Sequence, residues 1–219
     1  MACTPYGPVT RRAFAGLLIA GAASPVLAQP KPRPKPRIVT VLGDSITAGY
    51  GLPSRDALPY RLEGQLAKLI PGARVRGAGV SGDTSAGGAA RVDFSVQADT
   101  AVCVVALGGN DLLQGLDPRQ TRANLDRIIT RLKARRITVV LAGLSAPNAI
   151  GRSYARDFGA IFPDLARKHR IALYPNLLEG VRGVPRLNQR DGIHPNAAGV
   201  TIIAARLAPV VAKALTGRR

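Results

Sequence analysis

Aromatic residues and cysteine are scarce in this sequence. The 219 residues include no tryptophan and only 4% aromatic residues, which argues against an aromatic platform for single-stranded nucleic acid or a carbohydrate-binding strip. The two cysteines, Cys3 and Cys103, lie far apart, and no disulfide framework is expected. Cys103 lies in an apolar run and is predicted to be a buried core residue rather than a reactive thiol.

Acidic residues are also scarce, and none occurs before Asp44. The 31 Lys and Arg against 13 Asp and Glu give a formal net charge of +18. Removing the first 28 residues, with their two arginines, leaves +16, and setting aside the four basic residues that follow up to residue 37 leaves +12. This remainder is dispersed without a nucleic-acid-binding motif, so we interpret it as a solvated basic surface and expect no nucleic-acid partner. Weak association with an anionic membrane is a secondary expectation.

The signatures of several enzyme classes are missing. The sequence contains no GxSxG elbow, Walker loop or metal-ligand cluster, which argues against an ordinary α/β-hydrolase, a nucleotidase and a metallohydrolase. Residues 77–82 (GAGVSG) match GxGxxG after a strand candidate, but Gly87 and Gly88 lie where the helix should open. A dinucleotide fingerprint would also come at the first βα turn, so this match is weak.

The segment TRRAFAGLLIAGAASPVLAQP near the N-terminus is typical of an export signal. Arg11 and Arg12 form a twin arginine, an apolar stretch spans residues 13–23, and cleavage is expected after Ala28. The apolar stretch is shorter than the about 20 residues that span a bilayer. Residues 29–37 (QPKPRPKPR) are predicted to form an extended basic spacer, and residues 38–219 a single domain. We therefore expect an exported bacterial protein, periplasmic or secreted, and a monomer.

From Ile38 onward, short β-branched runs alternate with segments of helical periodicity, the pattern of a parallel α/β sheet. Five strands are predicted, at residues 38–42, 73–76, 101–107, 137–144 and 171–174. Leu62, Leu66 and Leu69 share one predicted helical face. A final helix is expected from an N-cap at Asn196 to about residue 215, with Pro209 able to kink it.

Each of the first three predicted strands is followed by a compact turn that contains glycine. These turns are residues 43–45 (GDS), 79–82 (GVSG) and 108–111 (GGND). Strands of a parallel sheet end at one edge, where ligands bind at the point of strand-order reversal. A fourth polar turn, DGIHPN at 191–196, precedes the last helix, which can pack back and bring the turn to that edge. We expect the four turns to form one cleft.

These turns contain the groups that acyl transfer by serine requires. Ser45 is the candidate nucleophile, His194 the candidate base because histidine exchanges protons near neutral pH, and Asp191 the candidate for orienting the imidazole. The candidate oxyanion donors are the backbone N–H groups of Ser45 and Gly82 and the side-chain amide of Asn110.

Other polar residues in the sequence have plainer interpretations. Asp44 and Asp111 are expected to hydrogen-bond local backbone N–H groups rather than act as catalytic acids. His169, in the basic helical end ARKHR, is expected to be a solvated cation. Ser45 alone would be read as an N-cap, and only the other three turns favour its role as a nucleophile.

The blocks LGDSITAGYG, VSGDTSAGG, ALGGNDLLQG and DGIHPN, in this order, resemble those of the SGNH, or GDSL, hydrolases. Their spacing is similar to that of bacterial periplasmic members acting on thioesters, aryl esters and lysophospholipids. The resemblance implies a flavodoxin-like three-layer α/β/α sandwich, no metal or organic cofactor, and functional roles for Ser45, Gly82, Asn110, Asp191 and His194. The basic spacer and twin-arginine signal lie outside the resemblance.

The expected substrates are small acyl esters, thioesters or lysophospholipids, with two alternatives left open. One is O-deacetylation of a polysaccharide, and the other is a non-catalytic exported binder of anionic lipid or polymer. Two loops at the expected edge are predicted to form the walls of an acyl groove, unless their side chains simply cap the core. The candidate substrate-binding residues are Leu112, Leu113, Leu116, Pro147, Ile150 and Tyr154.

Overall fold

A computed structural model describes residues 1–3 and 37–217 of the chain. The predicted export signal and basic spacer lie outside the described residues, apart from residues 1–3 and Arg37. Within the described part, the strands are β1 (Ile38–Gly43), β2 (Arg74–Gly79), β3 (Thr100–Ala106), β4 (Thr138–Ala142) and β5 (Ala172–Tyr174). The α-helices are α1 (Ser45–Ala48), α2 (Leu58–Leu69), α3 (Ser85–Ser95), α4 (Gly109–Leu113), α5 (Pro118–Ala134), α6 (Arg152–His169) and α7 (Ala197–Thr216).

The strands form one parallel sheet in the order β2-β1-β3-β4-β5. Helices α2 and α7 pack together on one face, and α3, α5 and α6 pack on the other. This arrangement confirms the predicted three-layer sandwich, and the strand order is the flavodoxin-like one. In that order the connections reverse direction between β1 and β3, which is where a ligand is expected.

The strand register brings three carboxyl ends to one level. Gly43, the last residue of β1, pairs with Gly79 of β2 on one side and with Ala106 of β3 on the other. A Cβ atom on Gly79 would overlap the backbone of Thr47, Ala48 and the Asp44 carbonyl. The end of β2 therefore lies directly against α1, which only a residue without a side chain allows.

Strand β2 and helix α2 differ from the sequence-based expectation. Strand β2 continues through the glycines to Gly79, because pairing with β1 carries it beyond its apolar residues. Leu62 and Leu66 are fully buried as predicted, but Leu69, in the last turn of α2, is 52% exposed.

Helix α7 begins after the N-cap Asn196 and runs through Pro209 to Thr216, which confirms the predicted last helix. Helix α6 contains one difference from the predictions. His169 is predicted to be solvated, but its side chain is largely buried and its Nε2 lies 2.6 Å from Asp126 Oδ1.

Among the described residues, α7 alone is long and apolar enough to pass for a membrane span, with a mean hydropathy of 1.6. Its inward face packs on α2 and on strands β3, β4 and β5. The residues buried on that face include Val200, Ile203, Leu207 and Val211. The apolar residues on this face of α7 thus form part of the protein core.

The contact between β2 and α1 predicts opposite effects for two Gly→Ala substitutions. Gly79→Ala should lower the free energy of unfolding by about 1–3 kcal/mol, since the backbone must move to admit the methyl group. Gly64→Ala is the matched control, because Gly64 lies in the interior of α2 with no atom within 4 Å of the added Cβ. It should raise stability by about 0.5–1 kcal/mol. Urea unfolding measures both, and equal effects would contradict the close approach.

Candidate active site

Ser45 is the first residue of α1, two positions beyond the end of β1. Asp44 caps this helix: its Oδ1 accepts a hydrogen bond from the Ile46 N–H at 3.0 Å. The short helix ends at Gly49, whose φ of 77° lies in the left-handed region. Ser45 is 8% exposed, so its hydroxyl lies in a sheltered position at the strand-order reversal.

His194 links Ser45 to Asp191 through the two nitrogens of its ring. Its Nε2 lies 2.9 Å from Ser45 Oγ, and its Nδ1 lies 2.7 Å from Asp191 Oδ2. With Nδ1–H donating to Asp191, Nε2 is left as an acceptor for the serine hydroxyl. The three side chains therefore form a continuous hydrogen-bonded relay, in which His194 Nε2 can accept the proton of Ser45.

Asp191 is held by the backbone of its own turn. Its Oδ1 accepts hydrogen bonds from the N–H groups of Ile193 at 2.9 Å and of His194 at 3.0 Å. The hydrogen bonds from the His194 backbone and ring, with that from Ile193, lower the pKa of Asp191 to about 2. Its carboxylate thus stays ionised through the neutral range, as a group that orients an imidazole must.

Gln189 ties the turn that carries His194 to the turn that follows Ser45. Its Nε2 donates to the carbonyls of Tyr50 at 2.8 Å and Pro195 at 3.1 Å, and its backbone N–H donates to the His194 carbonyl at 2.8 Å. The Tyr50 ring lies on the imidazole, with 4.7 Å between ring centroids. Sequence reasoning missed both residues, because no local pattern marks a contact across 139 positions. Tyr50 lies within one of the quoted blocks, and Gln189 lies two positions before another.

Gly82 and Asn110 lie on two adjoining turns that are joined by a hydrogen bond. Residues 80–83 form a β-turn, closed by a bond from the Asp83 N–H to the Val80 carbonyl at 3.1 Å, in which Gly82 has a φ of 82°. Positive φ at this third position is the mark of a type II turn. Asn110 Nδ2 donates to the Asp83 carbonyl at 2.9 Å, which leaves its second N–H available.

Two backbone donors near this point have no partner in the described part of the chain. Neither the Ser45 N–H nor the Gly82 N–H donates to any acceptor there. Unpaired N–H groups, one on the serine itself and one on a turn that follows the neighbouring strand, are suited to an oxygen that becomes negatively charged.

Arg91 joins the carboxyl ends of β1 and β2. It donates to the carbonyls of Gly43 at 2.8 Å and Ala78 at 2.9 Å, and its Nε donates to Asp83 Oδ2 at 2.7 Å. The Arg91 and Asp83 side chains are 19% and 10% exposed. The pair fixes the turn of Gly82 against the strand that leads to Ser45. Sequence reasoning missed it because Arg91 resembles any other arginine in a basic chain.

Asp44 and Asp111 differ in their surroundings. Burial raises the pKa of Asp44 to about 6, although the Ile46 N–H and the charge of His194 lower it. Asp111, 1% exposed, accepts hydrogen bonds from the N–H and hydroxyl of Ser85 and from the Thr121 hydroxyl. The expectation of local bonding therefore holds for Asp44 but is wrong for Asp111, which joins α3, α4 and α5.

A cavity of about 310 Å³ opens beside Ser45 and His194. Of the six predicted groove residues, Leu112, Leu113, Pro147 and Ile150 line it. Leu116 and Tyr154 do not, and the Tyr154 hydroxyl instead donates to the Leu116 carbonyl at 2.8 Å. Sequence reasoning missed several other lining residues, which are Leu144, Leu177, Leu178, Arg182 and Ile193. In residues 1–3 and 37–217 no group of three His, Cys, Asp or Glu side chains could hold a metal ion.

Comparison with known families identifies the domain. The model of the GDSL-like Lipase/Acylhydrolase family matches residues 41–202. The chain is 39% identical over 159 residues to Esterase TesA of Pseudomonas aeruginosa, covering 72% of this chain and 79% of that protein. It is 37% identical over 165 residues to thioesterase 1/protease 1/lysophospholipase L1 of Escherichia coli, covering 75% of this chain and 78% of that protein.

Solved structures give the same assignment. A crystal structure of TesA superposes with a TM-score of 0.75 at 36% identity, over 80% of this chain and 98% of that chain. The crystal structure of AlinE4, an SGNH-hydrolase family esterase, superposes with a TM-score of 0.70 at 41% identity, over 84% and 98%. The chain therefore belongs to the GDSL-like lipase/acylhydrolase family and is a hydrolase of acyl esters or thioesters.

Proposed function

We propose that Ser45 is the nucleophile of this hydrolase and forms an acyl-enzyme, with His194 as general base and Asp191 as its orienting group. The observation that carries the proposal is the relay from Ser45 Oγ to His194 Nε2 at 2.9 Å and from Nδ1 to Asp191 at 2.7 Å. Both distances are within hydrogen-bond reach, as transfer of the serine proton requires.

In the acylation step, Ser45 Oγ attacks the ester carbonyl carbon while its proton moves to His194 Nε2. The imidazolium that forms is stabilised by the ionised Asp191 carboxylate at Nδ1. Collapse of the tetrahedral intermediate breaks the bond to the alcohol or thiol, which takes the proton from Nε2 as it leaves. A water molecule then repeats the sequence on the acyl-enzyme, releases the carboxylic acid and restores the Ser45 hydroxyl.

The oxyanion of the tetrahedral intermediate is assigned to three donors: the Ser45 and Gly82 backbone N–H groups and the Asn110 amide. The two unpaired N–H groups and the remaining Asn110 N–H support this assignment. Arg91 and Asp83 hold the Gly82 turn in place, so the donors need little reorganisation as charge develops.

The proposed substrates are esters or thioesters with an apolar acyl chain, including lysophospholipids. Support comes from the leucine-rich cavity beside Ser45 and from relatives named esterase, thioesterase/lysophospholipase and arylesterase. The same lining makes an acetylated polysaccharide a poorer match, since apolar walls offer few partners for sugar hydroxyls. The proposal extends to a monomeric enzyme exported through the signal at residues 1–28, with residues 29–37 as a spacer.

Ser45→Ala and His194→Ala should each reduce kcat by about a millionfold, because each removes a member of one proton relay. The double variant should lose no more than either single one, since the two side chains act as a unit. Steady-state kinetics on p-nitrophenyl esters measure all three, with the temperature of unfolding as a control. Multiplying losses, or full activity in Ser45→Ala, would rule out this relay.

Asn110→Ala should reduce kcat by about a hundred- to a thousandfold with little change in KM, because an oxyanion donor acts on charge that develops in the transition state. Asn124→Ala is the matched control: Asn124 Nδ2 donates to the Ser85 hydroxyl at 3.1 Å, and it does not line the cavity. Its kcat should stay at the wild-type value. A change confined to KM in Asn110→Ala would assign this amide to substrate binding.

Asp44→Asn should stabilise the protein increasingly as the pH rises from about 4 to about 6. Burial raises the folded-state pKa of Asp44 to about 6 from 3.8, so the wild type loses stability as this carboxyl ionises in the fold. Asparagine keeps the helix cap and does not ionise. The difference in the free energy of unfolding should grow by up to about 3 kcal/mol.

Asp117→Asn is the control for that experiment. Asp117 also caps a helix, α5, through the Arg119 N–H at 2.9 Å, but the Arg119 side chain lowers its pKa. Ionised Asp117 therefore stabilises the folded protein above its ordinary pKa, and this stabilisation is lost in acid. The Asp117→Asn variant should accordingly be less stable than the wild type at neutral pH. Urea titrations across the pH range measure both variants, and parallel pH profiles would refute the burial effect at Asp44.

A further inference from the structure

Arg182 brings a positive charge to an otherwise mainly apolar cavity. Of the described residues that line this cavity, it is the only lysine or arginine. Asp44 lines the same cavity beside Ser45 and His194, so the nucleophile end holds a carboxylate. The cavity therefore has one end that repels an anion and one side chain that attracts it.

The fold places Ser45 and Arg182 beyond different strands of the sheet, although both line this cavity. Ser45 follows β1, whereas Arg182 follows β5 and donates through Nη1 to the carbonyl of Ser145, just beyond β4. In the sheet order, β4 lies two strands from β1. Neighbouring strands are about 4.8 Å apart, so the strand that leads to Ser145 lies about 10 Å from the strand that leads to the nucleophile.

No carboxylate neutralises Arg182 in the part of the chain that the structure describes. It forms no ion pair there, whereas Arg91 and Arg122 each bind an aspartate within 2.7 Å. Its bond to the Ser145 carbonyl uses one of five guanidinium N–H donors. An arginine fork with free donors beside an apolar cavity matches a planar carboxylate or a phosphate group.

We propose that Arg182 binds an anionic group of the substrate, so that this enzyme prefers esters bearing a carboxylate or phosphate remote from the scissile bond. The inference rests on the proposed function, since the ester must lie at Ser45 for its far end to reach Arg182. The anion has two sources. It is either a carboxylate at the end of the acyl chain or a phosphate on the alcohol that leaves.

The spacing limits the substrates to a narrow length range. A chain gains about 1.2 Å per bond when fully extended, and a hydrogen bond to the guanidinium adds about 2.9 Å. A separation of about 10 Å therefore corresponds to about six bonds. An acyl chain of six to eight carbons with a terminal carboxylate meets this limit, as does a glycerol phosphate on the leaving side. A much shorter chain leaves the anion beside Asp44, where like charges repel.

The test compares kcat/KM for two matched substrate pairs. The acyl-side pair is mono-p-nitrophenyl adipate and its methyl ester, which lacks the charge and carries one added methyl group. The leaving-side pair is 1-octanoylglycerol 3-phosphate and 1-octanoylglycerol. The variants are Arg182→Gln, which removes the charge but keeps a polar side chain, and Arg182→Lys, which keeps the charge. Arg186→Gln is the control, because it removes an exposed arginine four positions away that does not line the cavity.

The wild type should favour the anionic member of one pair by at least about tenfold, which corresponds to one charge-assisted hydrogen bond. Arg182→Gln should abolish that preference and leave the neutral substrate unaffected, whereas Arg182→Lys should keep part of it. The preferred pair identifies the source of the anion. High salt should weaken the preference, because Arg182 lies at the solvent-exposed rim.

Equal loss on charged and neutral substrates in Arg182→Gln would overturn the inference and assign Arg182 a structural role. An equal loss of preference in Arg186→Gln would overturn it as well, because the preference for anions would then come from the overall positive charge of the surface. Failure of the proposed function would give a different result. The Ser45→Ala variant would then still hydrolyse the neutral esters, both with arginine and with glutamine at position 182.

Discussion

The register that pairs Gly43 with both Gly79 and Ala106 is the constraint on which the rest of the site depends. It ends three strands at one level, so the turns that follow them meet without long loops. The absence of a side chain at Gly79 lets β2 approach α1 closely enough to bring the Gly82 turn beside Ser45. A shift of one residue in this register would turn alternate side chains to the other face and separate the turns.

Two sets of polar side chains, here called clamps, fix the turns of the site relative to one another: Arg91 with Asp83 and Asn110, and Gln189. Arg91 binds the carbonyls at the ends of β1 and β2 and pairs with Asp83, and Asn110 reaches the same turn from β3. Gln189 then secures the turn of His194 to the Tyr50 carbonyl. Arg91 and Gln189 take no part in the proposed reaction, and they hold the turns that carry Ser45 and His194.

Much of the fold was predictable, because β-branched runs and glycine turns report local structure directly. The residues of the relay were predictable as candidates because each lies in a turn with a distinctive composition. The clamp residues Arg91 and Gln189 are not predictable, and neither is the cavity residue Arg182, since each differs from other polar residues only by its partners across the fold. The prediction that Leu116 and Tyr154 line the groove is wrong because sequence gives a loop's position in the chain but not the direction of its side chains.

The central claim is that an acyl group passes through a covalent bond to Ser45. The most direct measurement is intact-mass and peptide mass spectrometry after reaction with a fluorophosphonate, which reacts with an activated serine. The account predicts one adduct per chain, on the peptide that contains Ser45, with loss of activity in proportion to labelling. An adduct on another serine, or full labelling of Ser45 with activity retained, would contradict it.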